Sequence, residues 1–356
     1  MMDHEDSNWP ECVMEIDEIL KNDECEEDWK IIAYFKQVQA VVERLIETKH
    51  EYFSNIQESN GVCRVRSESL TGKKFLSLLT SGEYVSYKRI SFVNSHPYVN
   101  AFHTAIEELD LNALDECGDE DHADRLNAAV EMIREKFRGH SMRKYMHKQE
   151  KAKRGRSNSA QKLINSLREK YARIEVLRLD LSYRKGKYVD LDDFLGALKE
   201  VKEHWNVFHK DLVSRALVSG YIGCIAKLEY GILSGFHFHL LVFCDGSKHR
   251  EDITLAKVLG EHWVDNVVLD NEGRYYNCNR HKNDYRYLGI GTLNYYDQEK
   301  YSYLMSLVIE YMVKTDHIMA NEAPGERIWF RSVEKASRLT TRRGRPRRAL
   351  THDSFL

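Results

Sequence analysis

The chain has 356 residues, with 53 Lys and Arg against 56 Asp and Glu, a formal net charge of -3 and 42% hydrophobic residues. That is the composition of a globular chain long enough for two domains. It holds no apolar run that could span a bilayer, and its acidic start (Asp3, Glu5, Asp6) is wrong for a signal peptide, so a membrane setting is excluded from the reading.

The seven cysteines (Cys12, Cys25, Cys63, Cys117, Cys224, Cys244, Cys278) are scattered and form no CxxC pair. They fit reduced thiols in cytoplasm rather than a disulfide framework or a zinc knuckle. The small net charge conceals a segregation. Among the charged residues, Asp and Glu dominate 1–28, Lys and Arg dominate Arg134 to Lys170, and a second basic block closes the chain at Arg342 to Arg348. Such an arrangement points to an anionic partner met by the basic parts.

In chain order, residues 1–28 are too acidic to pack well. Apolar residues from Trp29 to Phe53 recur at helical spacing, which predicts one long amphipathic helix to Ile56. A strand is expected over Tyr84–Val93 and a helix over Pro97–Leu109, with His96-Pro97 marking the break. An acidic turn, Asp115–Asp121, precedes a helix over Ala123–Phe137. Residues 1–140 thus read as an acidic, mainly helical accessory region. The basic stretch 141–164 reads as a linker, 165–335 as a second domain and 336–356 as a basic tail.

The second domain has clearer punctuation. Arg173–Tyr183 reads as a buried strand, and Asp190 as the cap of a helix carrying Phe194, Leu195, Leu198, Val201, Trp205, Phe208 and Leu212 on one stripe. Two strands, Ile222–Tyr230 and Phe236–Phe243, flank a glycine-bounded turn at Gly231–Gly235. A helix over Glu251–Trp263, short strands over Val267–Leu269, Tyr275–Asn277 and Leu288–Tyr296, and a helix capped by Asp297 and running to Lys314 complete an α+β layer.

Alternation puts His237 and His239 on one face of the second hairpin strand, and pairing Gly231 with Gly235 sets Glu229 across from His237. Two imidazoles and a carboxylate then converge as a divalent-metal site. A cupin would need a Glu soon after the histidines, a metallo-β-lactamase an Asp-His continuation, and a zinc finger its cysteines; all are missing. On the last helix Tyr311 and Lys314 share a face at i, i+3. A phenol near a metal and a cation can attack phosphorus, with Lys314 neutralising charge or helping to deprotonate Tyr311.

Glu229 eight positions before His237, the HFH triplet at 237–239 with its hydrophobic flanks, and the YMVK at 311–314 together resemble the HUH endonucleases. The likeness is to their single-tyrosine rolling-circle replication initiators, and most to replication proteins of filamentous phages (inoviruses) and prophage relatives. Tyr276 to Asn279, Gly289 to Gly291 and Glu310 to Asp316 add to it, and Leu177 to Tyr183 stands where that family has its first strand motif. It covers about residues 165–335. In one respect the chain departs from the family: that strand carries Arg178 and Asp180 instead of hydrophobics and threonines.

The resemblance implies a five-stranded antiparallel sheet flanked by helices, Mg²⁺ or Mn²⁺ at Glu229, His237 and His239, and Tyr311 as the nucleophile that nicks one DNA strand and keeps its 5′ phosphate. DNA contacts are expected from Arg143, Lys144, Arg154 and Arg156, and from Arg343 and Arg345 in an AT-hook-like tail. The first region reads as an accessory domain either for host replication proteins or for dimerisation. A transposase or relaxase with the same chemistry, and a DNA-binding regulator that does not cut, remain the alternatives at this point.

Overall fold

Residues 26–57, 63–80, 95–111, 121–189, 191–215 and 217–332 are described by the structure, a computed structural model. Helix α1 (Glu26–Glu47) buries Tyr34, Val38, Val42 and Leu45 at helical spacing. It stops nine residues short of the predicted Ile56. The Thr48 hydroxyl donates to the Leu45 carbonyl at 3.1 Å, and the Asn127 side chain accepts from the amides of Tyr52 and Phe53 at 3.0 and 3.1 Å. These bonds give the backbone an alternative to the helix, and the chain enters a ribbon of β1 (Ser54–Gln57) and β2 (Cys63–Arg66).

Helix α2 (Leu70–Leu79) is capped by Ser69, whose hydroxyl accepts from Gly72 N–H at 2.9 Å. Helix α3 (Pro97–Glu108) begins at the predicted break, with Pro97 in its first turn. With α4 (His122–Arg138), these helices close one core around Val38, Leu45, Phe75, Phe102, Leu126 and Ile133. The acidic residues 1–25, the predicted strand 84–93 and most of the acidic turn (112–120) lie outside the described residues.

The predicted linker 141–164 falls inside a single helix, α5 (His140–Lys170), of 31 residues. Gly155 costs about 1 kcal/mol in a helix interior, but packing on both sides of it outweighs that. Met142 and Met146 lean on the first core, and Ala160, Leu163, Ile164 and Leu167 are buried against the sheet.

Strand β3 (Arg173–Tyr183) has the predicted limits. Helix α6 (Phe194–Ser214) is capped by Asp193, whose Oδ1 accepts from Gly196 N–H at 2.8 Å; Asp190 lies outside the described residues. Of its predicted stripe only Leu195 faces out, at 57% exposure. Strands β4 (Tyr221–Gly231) and β5 (Gly235–Asp245) form the predicted hairpin. Helix α7 (Asp252–His262) runs into a π-helical turn, Trp263–Val267, where a strand was expected from Val267. There follow β6 (Gly273–Asn277), β7 (Gly291–Asn294), α8 (Gln298–Tyr303), a π-helical segment (Leu304–Ile309), α9 (Glu310–Val313), α10 (His317–Glu322) and an unanticipated β8 (Trp329–Arg331).

The sheet is antiparallel with order β6-β3-β5-β4-β8, and β7 also pairs with β3. β6 pairs with residues 179–183 of β3 and β7 with residues 173–176, while β5 takes the other edge. The six strands therefore fill five positions, because β6 and β7 share one edge end to end. Alternation divides the sheet chemically. Leu179, Leu181, Phe236, Phe238, Leu240 and Leu228 face α6 and α7 in one core. The opposite face carries Ile225, Leu241, Phe243 and Val176 under α5 and the 304–313 helix. Towards the hairpin turn, that second face turns from apolar to charged.

Candidate metal centre

The hairpin adopts the register that puts its three predicted ligands together: Gly231 opposite Gly235, Glu229 opposite His237 and Lys227 opposite His239. Gly235 is needed at the turn. Its φ is +66°, and a Cβ there would lie 2.7 Å from the Tyr188 carbonyl oxygen. Glu229, His237 and His239 are buried, and one ligand atom from each lies within 4.8 Å of the others. Glu229 Oε2 stands 3.4 Å from His239 Nε2 and 3.8 Å from His237 Nε2. Atoms sharing a cation at about 2.1 Å sit at comparable separations.

Both imidazoles are oriented from behind. His239 Nδ1 donates to Asp180 Oδ1 at 2.5 Å, and His237 Nδ1 donates to the Gly235 carbonyl at 3.2 Å. These partners assign the tautomers and leave both Nε2 lone pairs pointing at Glu229. Each Nε2 is buried and has no hydrogen-bond partner. An unmet buried acceptor costs about 1–3 kcal/mol, and a cation among the three groups would satisfy both. The residues fit a divalent metal, and the Asp180–His239 pair has the form in which a carboxylate aligns a ligating histidine.

The third ligand is fixed by a cation. Lys227, fully buried, donates from Nζ to Glu229 Oε1 at 2.5 Å and to the Lys314 carbonyl at 2.6 Å. Burial works against the Glu229 carboxylate, yet Lys227, Lys314 and His239 hold its pKa well below the usual range. Burial likewise works against charge on His239, but Asp180 and Glu229 raise its pKa.

Tyr311 reaches the same place from α9. Its ring packs edge-on against His239 with centroids 5.1 Å apart, Lys314 Nζ lies 4.1 Å from its centroid and the Arg178 guanidinium 5.3 Å. Burial pushes the phenol pKa above its ordinary value. Lys314 is the residue where the helix ends, in extended backbone, so the predicted shared helical face stops at Val313. Its side chain folds back over the tyrosine instead, with Nζ 3.4 Å from Glu229 Oε2. Against desolvation, Glu229 and Tyr311 raise the ammonium's pKa, which favours the protonated form.

The expected DNA contacts separate. Arg143, Lys144 and Arg154 are exposed on α5, with Arg154 3.8 Å from Glu150. Arg156 turns inward instead: its Nη2 donates to the Val313 carbonyl at 2.9 Å, closing the helix that carries Tyr311. Arg343 and Arg345 lie outside the described residues. The glycines at 289 and 291 serve the protein's own packing. A Cβ on Gly289 would sit 2.8 Å from Leu304 N, so Gly289 lets the tyrosine-bearing helix approach, and Gly291 has φ +80°.

Sequence reasoning missed Asp180, Arg178 and Lys227 as parts of the centre. The signal was present as parity: Arg178 and Asp180 alternate with Leu177, Leu179 and Leu181, and Lys227 shares a face with Glu229. No helix among the described residues is long and apolar enough to cross a membrane. Comparison with protein-family models, with curated proteins and with solved structures found no match to this chain.

Proposed function

We propose that the protein is a metal-dependent DNA-nicking and -joining enzyme in which Tyr311 is the nucleophile. The observation that carries this reading is the convergence of a half-buried phenol, two flanking cations and a three-ligand metal centre on one spot. A phenol beside a metal ligand is common enough as packing; one stacked under both Lys314 and Arg178 has its developing oxyanion and the scissile phosphate provided for.

In this mechanism the Tyr311 oxygen forms a bond to phosphorus as the bond to the 3′ oxygen breaks. The phenol proton passes to water, and the departing 3′ oxygen takes one up from water. The 5′ phosphate stays on Tyr311 until a 3′ hydroxyl attacks it and reseals the strand. Lys314 and Arg178 neutralise charge, Lys227 holds Glu229, and Asp180 holds His239 in place. A divalent cation held by Glu229, His237 and His239, for which we propose Mn²⁺ or Mg²⁺, would polarise the phosphate.

We further read the sheet, five positions wide, as that of the single-tyrosine HUH endonucleases, and the biological task as initiating rolling-circle replication of a phage or mobile element. DNA is the partner this chemistry needs. Exposed Arg143, Lys144, Lys148, Lys151 and Arg154 recur along one side of α5 over about 16 Å at 1.5 Å per residue, a cationic stripe suited to phosphates.

The test is adduct formation. With Mn²⁺ and single-stranded DNA containing the replication origin, the wild-type chain is expected to give a protein–DNA species stable to denaturation. Tyr311→Phe should abolish it while retaining Mn²⁺ binding, and chelator should abolish it in the wild type. Adducts of undiminished yield in Tyr311→Phe would sink the nucleophile assignment.

A further inference from the structure

The charged row that builds the centre does not stop at it. Across the sheet, Lys227 of β4 lies opposite His239 of β5, His239 opposite Asp180 of β3, and Asp180 opposite Tyr276 of β6. Directly opposed residues present their side chains on the same face, so Tyr276 closes this row at the sheet edge. It stands two strand spacings from His239, roughly 10 Å. A few nucleotides of strand, at 3.4 Å or more each, cover that span.

A cavity of about 430 Å³ opens at this edge, lined by Tyr276 together with Tyr275, Arg280, His281 and Lys257. Three of its properties bear on what it accepts. Tyr276 and His281 lie parallel, ring centroids 5.2 Å apart and 7° from coplanar, and are both half-buried, a flat aromatic surface partly open to solvent. Arg280 is exposed and has no ion-pair partner among the described residues, and Lys257 is exposed with Glu261 at 3.4 Å. Finally, among the described residues β6 pairs with β3 alone, so its outer edge is open. Flat rings beside cations suit a ligand that is planar in one part and anionic in another, and a nucleotide is both.

We infer that this edge cavity is a subsite for a nucleotide of single-stranded DNA flanking the bond that Tyr311 cuts, its base stacked on the Tyr276–His281 pair and its phosphate met by Arg280. The placement beside the cut rests on the nicking reading; the capacity to stack a base does not. Continuity argues for this occupant. Tyr276 shares a face with Asp180, His239 and the phenol, and the cavity opens round the sheet edge from Tyr276 towards Tyr275, Ile253 and Lys257 on the α7 side. A strand with its phosphate at the centre would therefore reach the aromatic pair as it leaves over that edge.

The experiment uses the full chain and a fluorescein-labelled dT20 probe followed by anisotropy in chelator, so that binding is read without cleavage. Tyr276→Leu combined with His281→Ala is expected to weaken Kd roughly 5- to 150-fold, the range for loss of one base stack. Arg280→Gln should lower the magnitude of the salt slope by about 0.7. A folded double variant that binds dT20 as tightly as the wild type overturns the proposal.

Should the double variant not fold, the wild-type chain still decides. A dT20 probe carrying one 5-iodo-deoxyuridine is expected to photo-crosslink to the peptide containing residues 273–282, and crosslinks confined to other peptides overturn the proposal. The two readings also separate cleanly. Weakened dT20 binding without any Mn²⁺-dependent adduct leaves a base-stacking site on a protein that does not nick. Adduct formation with unaltered dT20 binding in the double variant leaves a nicking enzyme without this subsite.

Discussion

Asp180 shows how much one side chain can govern without touching a reactant. Its carboxylate accepts the hydrogen bond from His239 Nδ1–H and so decides that Nε2 faces the centre. Asp180→Asn keeps the volume but can present an amide N–H to Nδ1, which stabilises the wrong tautomer. Metal affinity is expected to fall about 10- to 100-fold, the usual cost of losing such a partner, in a calorimetric titration with Mn²⁺. The fold should hold, since the neighbouring Leu179 and Leu181 keep the opposite face of β3 packed. Affinity equal to wild type would show that Asp180 only fills space.

At the scale of elements, the tyrosine-bearing helix depends on a close approach that only glycine permits. Gly289 brings the loop before β7 against the backbone at Leu304, where the helix passes into its π-helical segment. Backbone cannot yield as a flexible side chain can, so Gly289→Ala is expected to cost roughly 1–3 kcal/mol, the range for overpacking. On the proposed nicking reading, adduct yield should fall more than stability does, because the shift displaces Tyr311. A urea titration paired with adduct yield checks both, and an unchanged yield would mean that the helix is positioned from elsewhere.

Much of this arrangement could be read from the chain alone. Period-two alternation with glycines at 231 and 235 located the hairpin, its register and three converging ligands. The limits of β3 followed from a run bounded by polar residues. Other features were hidden for physical reasons. Nothing local distinguishes α1 ending at Glu47 from α1 continuing, because the competing bonds come from Asn127, far along the chain. The basic stretch looks like a linker until the sheet that buries Ala160, Leu163 and Ile164 exists. Lys227 goes unassigned although it shares a face with Glu229, because its two acceptors meet only after α9 docks.

On the scale of the whole molecule, the helical first region meets the sheet domain across a seam of neutral imidazoles. His96 and His317 stack edge-on with centroids 5.0 Å apart, and the Tyr145 hydroxyl bonds His317 Nδ1 at 2.9 Å. Burial lowers their pKa values to about 4 and about 3, from an ordinary 6.5. Since the folded values lie below the unfolded one, the stability they contribute is full above pH 6.5. It is lost as acid drives protonation that only the unfolded chain accepts readily. At pH 5 the loss is on the order of 2 kcal/mol per histidine. Urea midpoints should therefore drop between pH 7 and pH 5, and less so in His317→Gln. A drop of the same size in that variant would place the acid sensitivity in other groups.

The single helix α5 has a mechanical corollary. It carries the exposed cationic stripe over residues 143–154 and, through Arg156 beside it, caps the turn of helix that holds Tyr311 and ends at Val313, with no break in the helix between them. On the proposed nicking reading, a rod of this kind would work as a ruler: wherever its far end rested on a polynucleotide, the nick would fall at a set offset. Splicing one extra helical turn, about 5.4 Å, between Lys148 and Lys151 should move the nick to a different phosphate, as mapping of the product ends would reveal. Cleavage at the original phosphate would mean that the ruler is read from some other mark.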